Sequence, residues 1–334
     1  MKRIITLTLA MVLIFALGVC SMSASAADKV YEIKLVTSNG PTDIDTLGWI
    51  QAAETIKERT NGAVDIQVYP SGEILMGDEG IEALVADAAV ITVNDLDCEM
   101  DYVPELETLC ASFLWGSAKQ MEDFTGTDVW NEIMAKSDAA NFHFICTDFY
   151  MGARNIFAGH GTEIRSVSDC SKLNIRCPSA SAYVNAFNMM GANYSCVSWA
   201  DGVTACETGM LDGAECTVQR AATCGLAQIL KDPVYSVVKW RCAPVGLCVG
   251  YGYWMSLPEE YRDIITEEFE NCAHECNAKV EADEAGYIDS LIEQGVKIVP
   301  YEEVDVQSFQ DVFMEYNSTM PMWDEVYSTV KGLA

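Results

Sequence analysis

Tyr31-Glu32-Ile33-Lys34-Leu35-Val36 alternates in polarity and runs into Ser38-Asn39-Gly40-Pro41, a strand ended by a turn. A helix is predicted next, because Leu47, Ile50, Ala53 and Ile56 recur at helical spacing and Asn61-Gly62 closes the run. Val64, Ile66 and Val68 alternate as a second strand before Pro70-Ser71-Gly72; Asp78 to Ala86 reads as a helix and Ala89 to Val93 as a short buried strand. This β-α-β-α-β order implies a parallel sheet with helices on its faces. In such sheets ligands sit beyond the carboxyl ends of strands, where Ser38, Asn39, Asn94 and Asp95 fall.

The rhythm resumes further along. Phe142 to Thr147 and Lys172 to Cys177 read as strands, Ser181 to Met190 as a helix stopped by Gly191, and Asp201 to Thr208 as one stopped by Gly209. Asp212-Gly213 is a turn into a short strand. Ser256-Leu257-Pro258-Glu259 has the form of a capping box before a long helix with a stripe at Tyr261, Ile265, Phe269, Cys272, Cys276 and Val280. Val296 to Val299 is a late strand and Val306 to Tyr316 a late helix. With 334 residues, half of them apolar, the chain can bury two ordinary cores, and two α/β lobes fit the pattern.

Only the N-terminus looks membrane-directed. Lys2-Arg3, an apolar run from Ile4 to Val19 and Ser23-Ala24-Ser25-Ala26-Ala27 are the parts of a secretory signal peptide, with cleavage expected after Ala26. The rival reading makes Cys20 an acylated N-terminus after Leu17-Gly18-Val19. Losing residues 1–26 removes two basic residues and no acid, which takes the net charge from −30 to −32. Such a field repels nucleic acid and anionic membranes. Thirteen of the fourteen cysteines would remain, scattered and without a C-x-x-C. Most are expected to be small buried hydrophobes, as an anaerobic habitat tolerates; Cys242 and Cys248 form the nearest non-helical pair for a disulfide.

No nucleophile elbow, zinc-protease helix or phosphate loop is present, and His143, His160 and His274 are the whole histidine supply. Cys272-x-His274-x-Cys276 resembles a metal set. On a helix, however, His274 points about 200° from both cysteines, so core packing is the expectation. Arg176 carries more information. It lies on the polar face of the strand Leu173 to Cys177, beside the Pro178 that ends it, where a ligand would sit. A guanidinium there can clamp a carboxylate bidentately; the alternative is a surface ion pair with one of the fifty acids. Arg154 follows another strand through Phe149-Tyr150-Met151-Gly152, and Trp49, Tyr150, Trp199 and Trp254 sit near turns, where they line a pocket or simply pack.

Longer runs are more specific. Glu58-Arg59-Thr60-Asn61-Gly62-Ala63-Val64-Asp65-Ile66, Tyr69-Pro70-Ser71-Gly72 and Gly77-Asp78-Glu79-Gly80-Ile81-Glu82 resemble the N-terminal lobe of TRAP-transporter solute receptors, the DctP family. Leu173-Asn174-Ile175-Arg176-Cys177-Pro178, Met189-Met190-Gly191-Ala192, Thr208-Gly209-Met210-Leu211-Asp212-Gly213-Ala214-Glu215 and Leu257-Pro258-Glu259-Glu260 are similar too, in the right order along nearly the whole chain. The resemblance implies a two-lobed periplasmic-binding-protein-like fold, with mixed sheets flanked by helices and a long helix bridging the lobes. Lobe I is expected over 27–150 plus about 241–281, and lobe II over 151–240 plus about 282–334. It also implies an extracytoplasmic receptor, not an enzyme, without a cofactor, that passes a small organic anion to two integral-membrane TRAP subunits. Arg176 matches the family's carboxylate-binding arginine, Arg154 the assisting arginine of a G-x-R segment, and Trp199 an aromatic contact. Asn39, Asn94, Tyr150, Ser179, Glu215 and Cys216 complete the expected ligand-binding set. Cys216 departs from the asparagine often found there, and Ala88 stands near a usual glycine. The lost amide and the abundant Trp and Tyr point away from a four-carbon dicarboxylate toward a larger or partly aromatic monocarboxylate. Three rival readings remain: a receptor of an ABC-type importer or sensor kinase, a secreted enzyme using Cys216 beside Glu215, and a Cys-rich redox or metal-storage protein.

Overall fold

The computed structural model describes residues 29–75, 77–178 and 180–333. The signal-peptide and Cys20 expectations, and the site residue Ser179, lie outside the described residues. Among the described residues there are eleven strands: β1 Tyr31–Val36, β2 Val64–Tyr69, β3 Val90–Asp95, β4 Phe142–Tyr150, β5 Arg154–Ala158, β6 Asn174–Cys177, β7 Asn193–Cys196, β8 Gly213–Thr217, β9 Val234–Arg241, β10 Pro244–Gly250 and β11 Lys297–Val299. They form two sheets, ordered β2-β1-β3-β10-β4 and β11-β9-β5-β8-β6-β7. The N-terminal rhythm gives the expected parallel β2-β1-β3. That sheet becomes mixed because β10 returns antiparallel between β3 and β4. In the second sheet β5 is antiparallel to both β8 and β9, while β6 runs parallel to β7 and β8.

The two sheets are joined by short neighbouring crossings, residues 151–153 after β4 and 242–243 after β9. Gly152 has φ +89°, a left-handed turn that glycine adopts without strain. Arg154 and Arg241 stand in register across β5 and β9 right after and right before these crossings.

Helix α1 (Ile44–Arg59) buries Ala53 and Ile56 of the expected stripe but turns its first half away from it. Asp45, Thr46, Trp49, Ala52, Ala53 and Ile56 turn inward, while Leu47 and Ile50 are exposed. Trp49 decides this: its indole fills the core against Phe149, edge to face at 5.5 Å, and residues one turn earlier on the same face must follow it in. Ser256 does not cap the long helix. It ends the short helix Tyr251–Ser256 with its hydroxyl on the Tyr253 carbonyl, and Pro258 stands at the long helix's N-cap. The long helix spans Glu259–Glu293 and buries Ile265, Phe269, Cys272, Cys276 and Val280 as expected. It packs on α1 and β4 at one end and on β11 at the other, so it bridges both sheets. The C-terminal helix Trp323–Gly332 packs against helices Glu105–Leu109, Ala118–Phe124 and Asp128–Ala139, on the first sheet's side. The chain beyond Asn317 thus leaves the second sheet, where the sequence places it. Among the described residues no helix is long and apolar enough to cross a membrane.

Ten of the thirteen described cysteines are buried, and all thirteen are unpaired, Cys242 and Cys248 included. Cys272 and Cys276 sit in the core with sulfurs 3.9 Å apart, while His274 points outward to Glu122 at 3.2 Å. Helical geometry therefore separates the apparent metal set as expected.

Glu99, on the short turn Leu96–Glu99 after β3, is fully buried, and among the described residues neither carboxyl oxygen has a hydrogen-bond partner of normal geometry. Burial, reinforced by Asp97, pushes its carboxyl up to about 8. The native chain then holds a proton that the unfolded chain releases, so stability is greatest below the ordinary Glu range and falls as pH rises toward 8. Between about pH 6 and about pH 8.5 the melting temperature should drop by about 5 °C or more on this account. Glu99→Gln should flatten that slope; a variant with the wild-type slope would show that the carboxyl is already ionised.

Candidate functional site

The carboxyl ends of β3, β6, β8 and β9 and the start of β5 converge between the two sheets, and the strand pleat brings a compact set of charges there. Glu215, on β8, is 0 % exposed. Its carboxylate accepts from Arg154 Nη1 at 3.1 and 3.4 Å and from Arg176 Nη1 at 3.5 Å. Two guanidinium groups thus share one buried acid. Asp95, at the end of β3 in the other sheet, lies 3.9 Å from Arg154 and 3.4 Å from Arg241, and accepts from the Tyr183 hydroxyl at 2.7 Å. Arg154 and Arg241 lie over the Tyr183 ring, 4.9 and 4.7 Å from its centroid.

Arg241 is anchored inward. It donates to Asp97 at 2.6 Å and to the Cys110 carbonyl at 2.8 Å. Burial lowers its proton affinity, but Asp97, Tyr183, Cys110 and Asp95 together more than offset this, and the charge is kept. The same contest at Arg154 is won by Glu215 with the help of Tyr183 and Asp95. At Arg176 it goes the other way: burial, helped by the neighbouring Arg154 and opposed by Glu215, holds its affinity below the ordinary arginine range. The charge on Arg176 is the one least compensated by protein groups.

The Arg176 side chain is 12 % exposed and held on three sides. Nε donates to the Val197 carbonyl at 3.1 Å. The guanidinium lies 5.3 Å from the Trp199 ring centroid, and Arg220 lies 5.3 Å from the same ring. Arg220 in turn reaches Asp43, ahead of α1 in the first lobe, at 3.3 Å. The third wall is Gly202 in the helix Trp199–Glu207, where any Cβ would stand 2.5 Å from Arg176 Cγ. Gly202→Ala must therefore displace the stem of the arginine. If Arg176 holds a ligand as the sequence leads one to expect, Gly202→Ala lowers the affinity about tenfold or more with the melting temperature nearly unchanged; equal affinity in a titration would show that the stem can give way.

The structure thus brings together Arg176, Arg154, Glu215 and Trp199. It does not bring the rest of the expected set to the same place. Cys216 follows Glu215 on β8, so its side chain takes the opposite face and is buried against Phe157 and Ala221. Burial keeps its thiol well above the usual range, which leaves a neutral core thiol in place of the nucleophile beside an acid. Tyr150 lines a crevice behind the crossings with Val280 and Tyr287. Asn94 lies near Glu99 and favours that group's charged form. Asn39 is buried at the end of β1 and donates to Met151 Sδ at 3.8 Å, next to the first crossing. Residues that sequence reasoning missed are Arg241, Arg220, Tyr183 and Gly202. For Arg241 a signal exists: Arg241-Cys242-Ala243-Pro244 repeats the arginine-then-proline strand end of Arg176-Cys177-Pro178.

Residues 36–324 match the profile of the bacterial extracellular solute-binding proteins, family 7. The monocarboxylate 2-oxoacid-binding periplasmic protein of Nostoc sp. is 24% identical over 315 residues, covering 89% of this chain and 82% of its own. A TRAP periplasmic solute binding protein of Desulfovibrio salexigens, solved in complex with diglycerolphosphate, superposes with a TM-score of 0.85 at 23% identity, over 91% of this chain and 97% of that one. Another from Actinobacillus succinogenes, with bound L-galactonate, gives 0.81 at 20% identity, over 90% and 99%.

Proposed function

The chain belongs to the bacterial extracellular solute-binding proteins of family 7, and from that premise we propose that it captures a small organic acid by its carboxylate for a TRAP-type secondary transporter. The observation that carries this reading is the sharing of Glu215 by Arg154 and Arg176. Arg154 is met by Asp95 as well as by Glu215, and Arg241 by Asp97, which leaves Arg176 with only a 3.5 Å share of Glu215 where the lobes meet; an incoming carboxylate completes its pairing. Within a site of low dielectric such a pair is far stronger than in water, provided its hydrogen bonds are complete.

In this reading Arg176 makes the primary contact, Arg154 adds charge, and Trp199 stacks beside the guanidinium. Closure turns on the crossings 151–153 and 242–243. A ligand touching both lobes favours the closed form by its extra contacts there. The Arg220–Asp43 pair joins the second lobe to the first and supports the closed form. The first lobe would comprise the first sheet, its helices and the Trp323–Gly332 helix; the second would comprise the second sheet and its helices. The receptor would act outside the cytoplasmic membrane after its leader is removed and hand the acid to two integral-membrane subunits.

The ligand class is tested by thermal shift against 2-oxo monocarboxylates, aldonates, glycerol phosphates, four-carbon dicarboxylates and the matching neutral sugars. An organic anion should raise the melting temperature, and calorimetry should then return a single site. Stabilisation by a neutral sugar, with no response to any acid, would overturn the carboxylate reading.

A further inference from the structure

Arg176 is flanked by a feature that ligand capture does not use. Cys177 follows it on β6, and Cys196 stands opposite Cys177 in the parallel register with β7. Register partners on adjacent strands project from the same face. Ile175 and Tyr194, two residues earlier on each strand and also partners, both pack on one core face, so Cys177 and Cys196 point that way too. Neighbouring strands lie about 4.8 Å apart, within the Cα separations of roughly 4.4–6.8 Å that a disulfide spans. Cys177 is fully buried, whereas Cys196 is exposed on the edge strand. Burial pushes the Cys177 thiol up, and the Cys196 thiol beside it pushes it further.

The backbone around the pair is the frame of Arg176. Val197 N donates to the Cys177 carbonyl at 3.3 Å, and the Val197 carbonyl accepts from Arg176 Nε at 3.1 Å. Trp199, stacked on the guanidinium, begins the next helix. We propose that Cys177 and Cys196 form a reversible cross-strand disulfide that locks together the two strand ends holding Arg176. The family acts outside the cell's reducing interior, where disulfide oxidants are available.

The exposed Cys196 thiolate attacks one sulfur of a small disulfide such as oxidised glutathione, forming a mixed disulfide and releasing one glutathione thiolate. Cys177 gives its proton to solvent and attacks the Cys196 sulfur, and the second glutathione leaves as a thiolate. Two cysteine thiols are oxidised by two electrons, and one small disulfide is reduced to two thiols. The raised affinity of Cys177 for its proton makes the second step slow and faster at higher pH.

The test needs no ligand and is independent of the carboxylate reading. The full chain is equilibrated with oxidised glutathione at about pH 8, alkylated and digested without reduction, and its peptides are weighed. A peptide pair joined through Cys177 and Cys196 is expected, abolished by dithiothreitol and missing from Cys196→Ser. The joined form should keep the reduced chain's circular dichroism and melt about 5 °C higher. Recovery of Cys196 as a stable glutathione adduct with Cys177 free would overturn the proposal. So would a link from Cys196 to another cysteine, or one formed only with loss of the native spectrum.

Discussion

Arg176→Ala is expected to weaken binding of the acid found by thermal shift by roughly 30- to 1,000-fold, the equivalent of about 2–4 kcal/mol, with the fold intact. Loss of function without loss of structure follows from the geometry. Glu215 keeps its shorter contact with Arg154, 3.1 Å against 3.5 Å, so removing Arg176 leaves no buried acid unpaired. The melting temperature without ligand should move by only a few degrees. Arg176→Lys should not rescue affinity. A lysine cannot keep both the Val197 carbonyl and a bidentate carboxylate, and it lacks the plane that lies on Trp199. Arg154→Ala should cost both affinity and stability, since it deprives Glu215 of its main partner. Calorimetry of the three variants separates these outcomes, and unchanged affinity in Arg176→Ala would remove the central role given to this residue.

What the sequence discloses and what it conceals differ for physical reasons. Strand β1 was legible to the residue because its faces differ: one meets the core and the other does not, so polarity alternates. Strands β9 and β10 were not, because they are buried almost throughout, and with no polar face there is no alternation to read. Helix α1 is legible, but only the Ala53–Ile56 half of its expected stripe turns inward, because one tryptophan outweighs two aliphatic residues in deciding what is buried. In the site, Arg176 and Arg154 were accessible through the rule that ligands gather at strand ends. Arg241 was hidden because its partner Asp97 is 144 residues away, and only the return of β10 beside β3 brings them together. Cys216 enters the expected set through the resemblance, as the position after Asp212-Gly213-Ala214-Glu215, although the period of two along a strand already assigns adjacent residues to opposite faces. Gly202 carries no sequence signal; its importance is a matter of clearance from a side chain on another element.

Glu215→Gln should produce the largest loss of stability of any single change at this site. The amide preserves the size of the side chain and one acceptor oxygen but withdraws the negative charge that two largely buried guanidinium groups, 24% and 12% exposed, share. Arg154 is then left with Asp95 at 3.9 Å, which Arg241 and Tyr183 already engage, and Arg176 is left with no acid at all. Leaving a buried charge unpaired typically costs about 3–5 kcal/mol, which for a chain of this size corresponds to a fall of roughly 6–12 °C in melting temperature. The same change leaves the cluster with one uncompensated positive charge, so an added anion should now be worth more to the folded state. Sulfate at a concentration that hardly moves the wild-type chain should recover a substantial part of the loss in Glu215→Gln, because an anion binding only the native form stabilises it by mass action. Substitution of a core residue of similar volume, such as Phe157→Leu on the neighbouring strand, should lower the melting temperature without any such recovery. If Glu215→Gln melts with the wild type, or is destabilised but indifferent to sulfate, the two arginines do not depend on that carboxylate and an underpaired guanidinium is not what awaits the ligand.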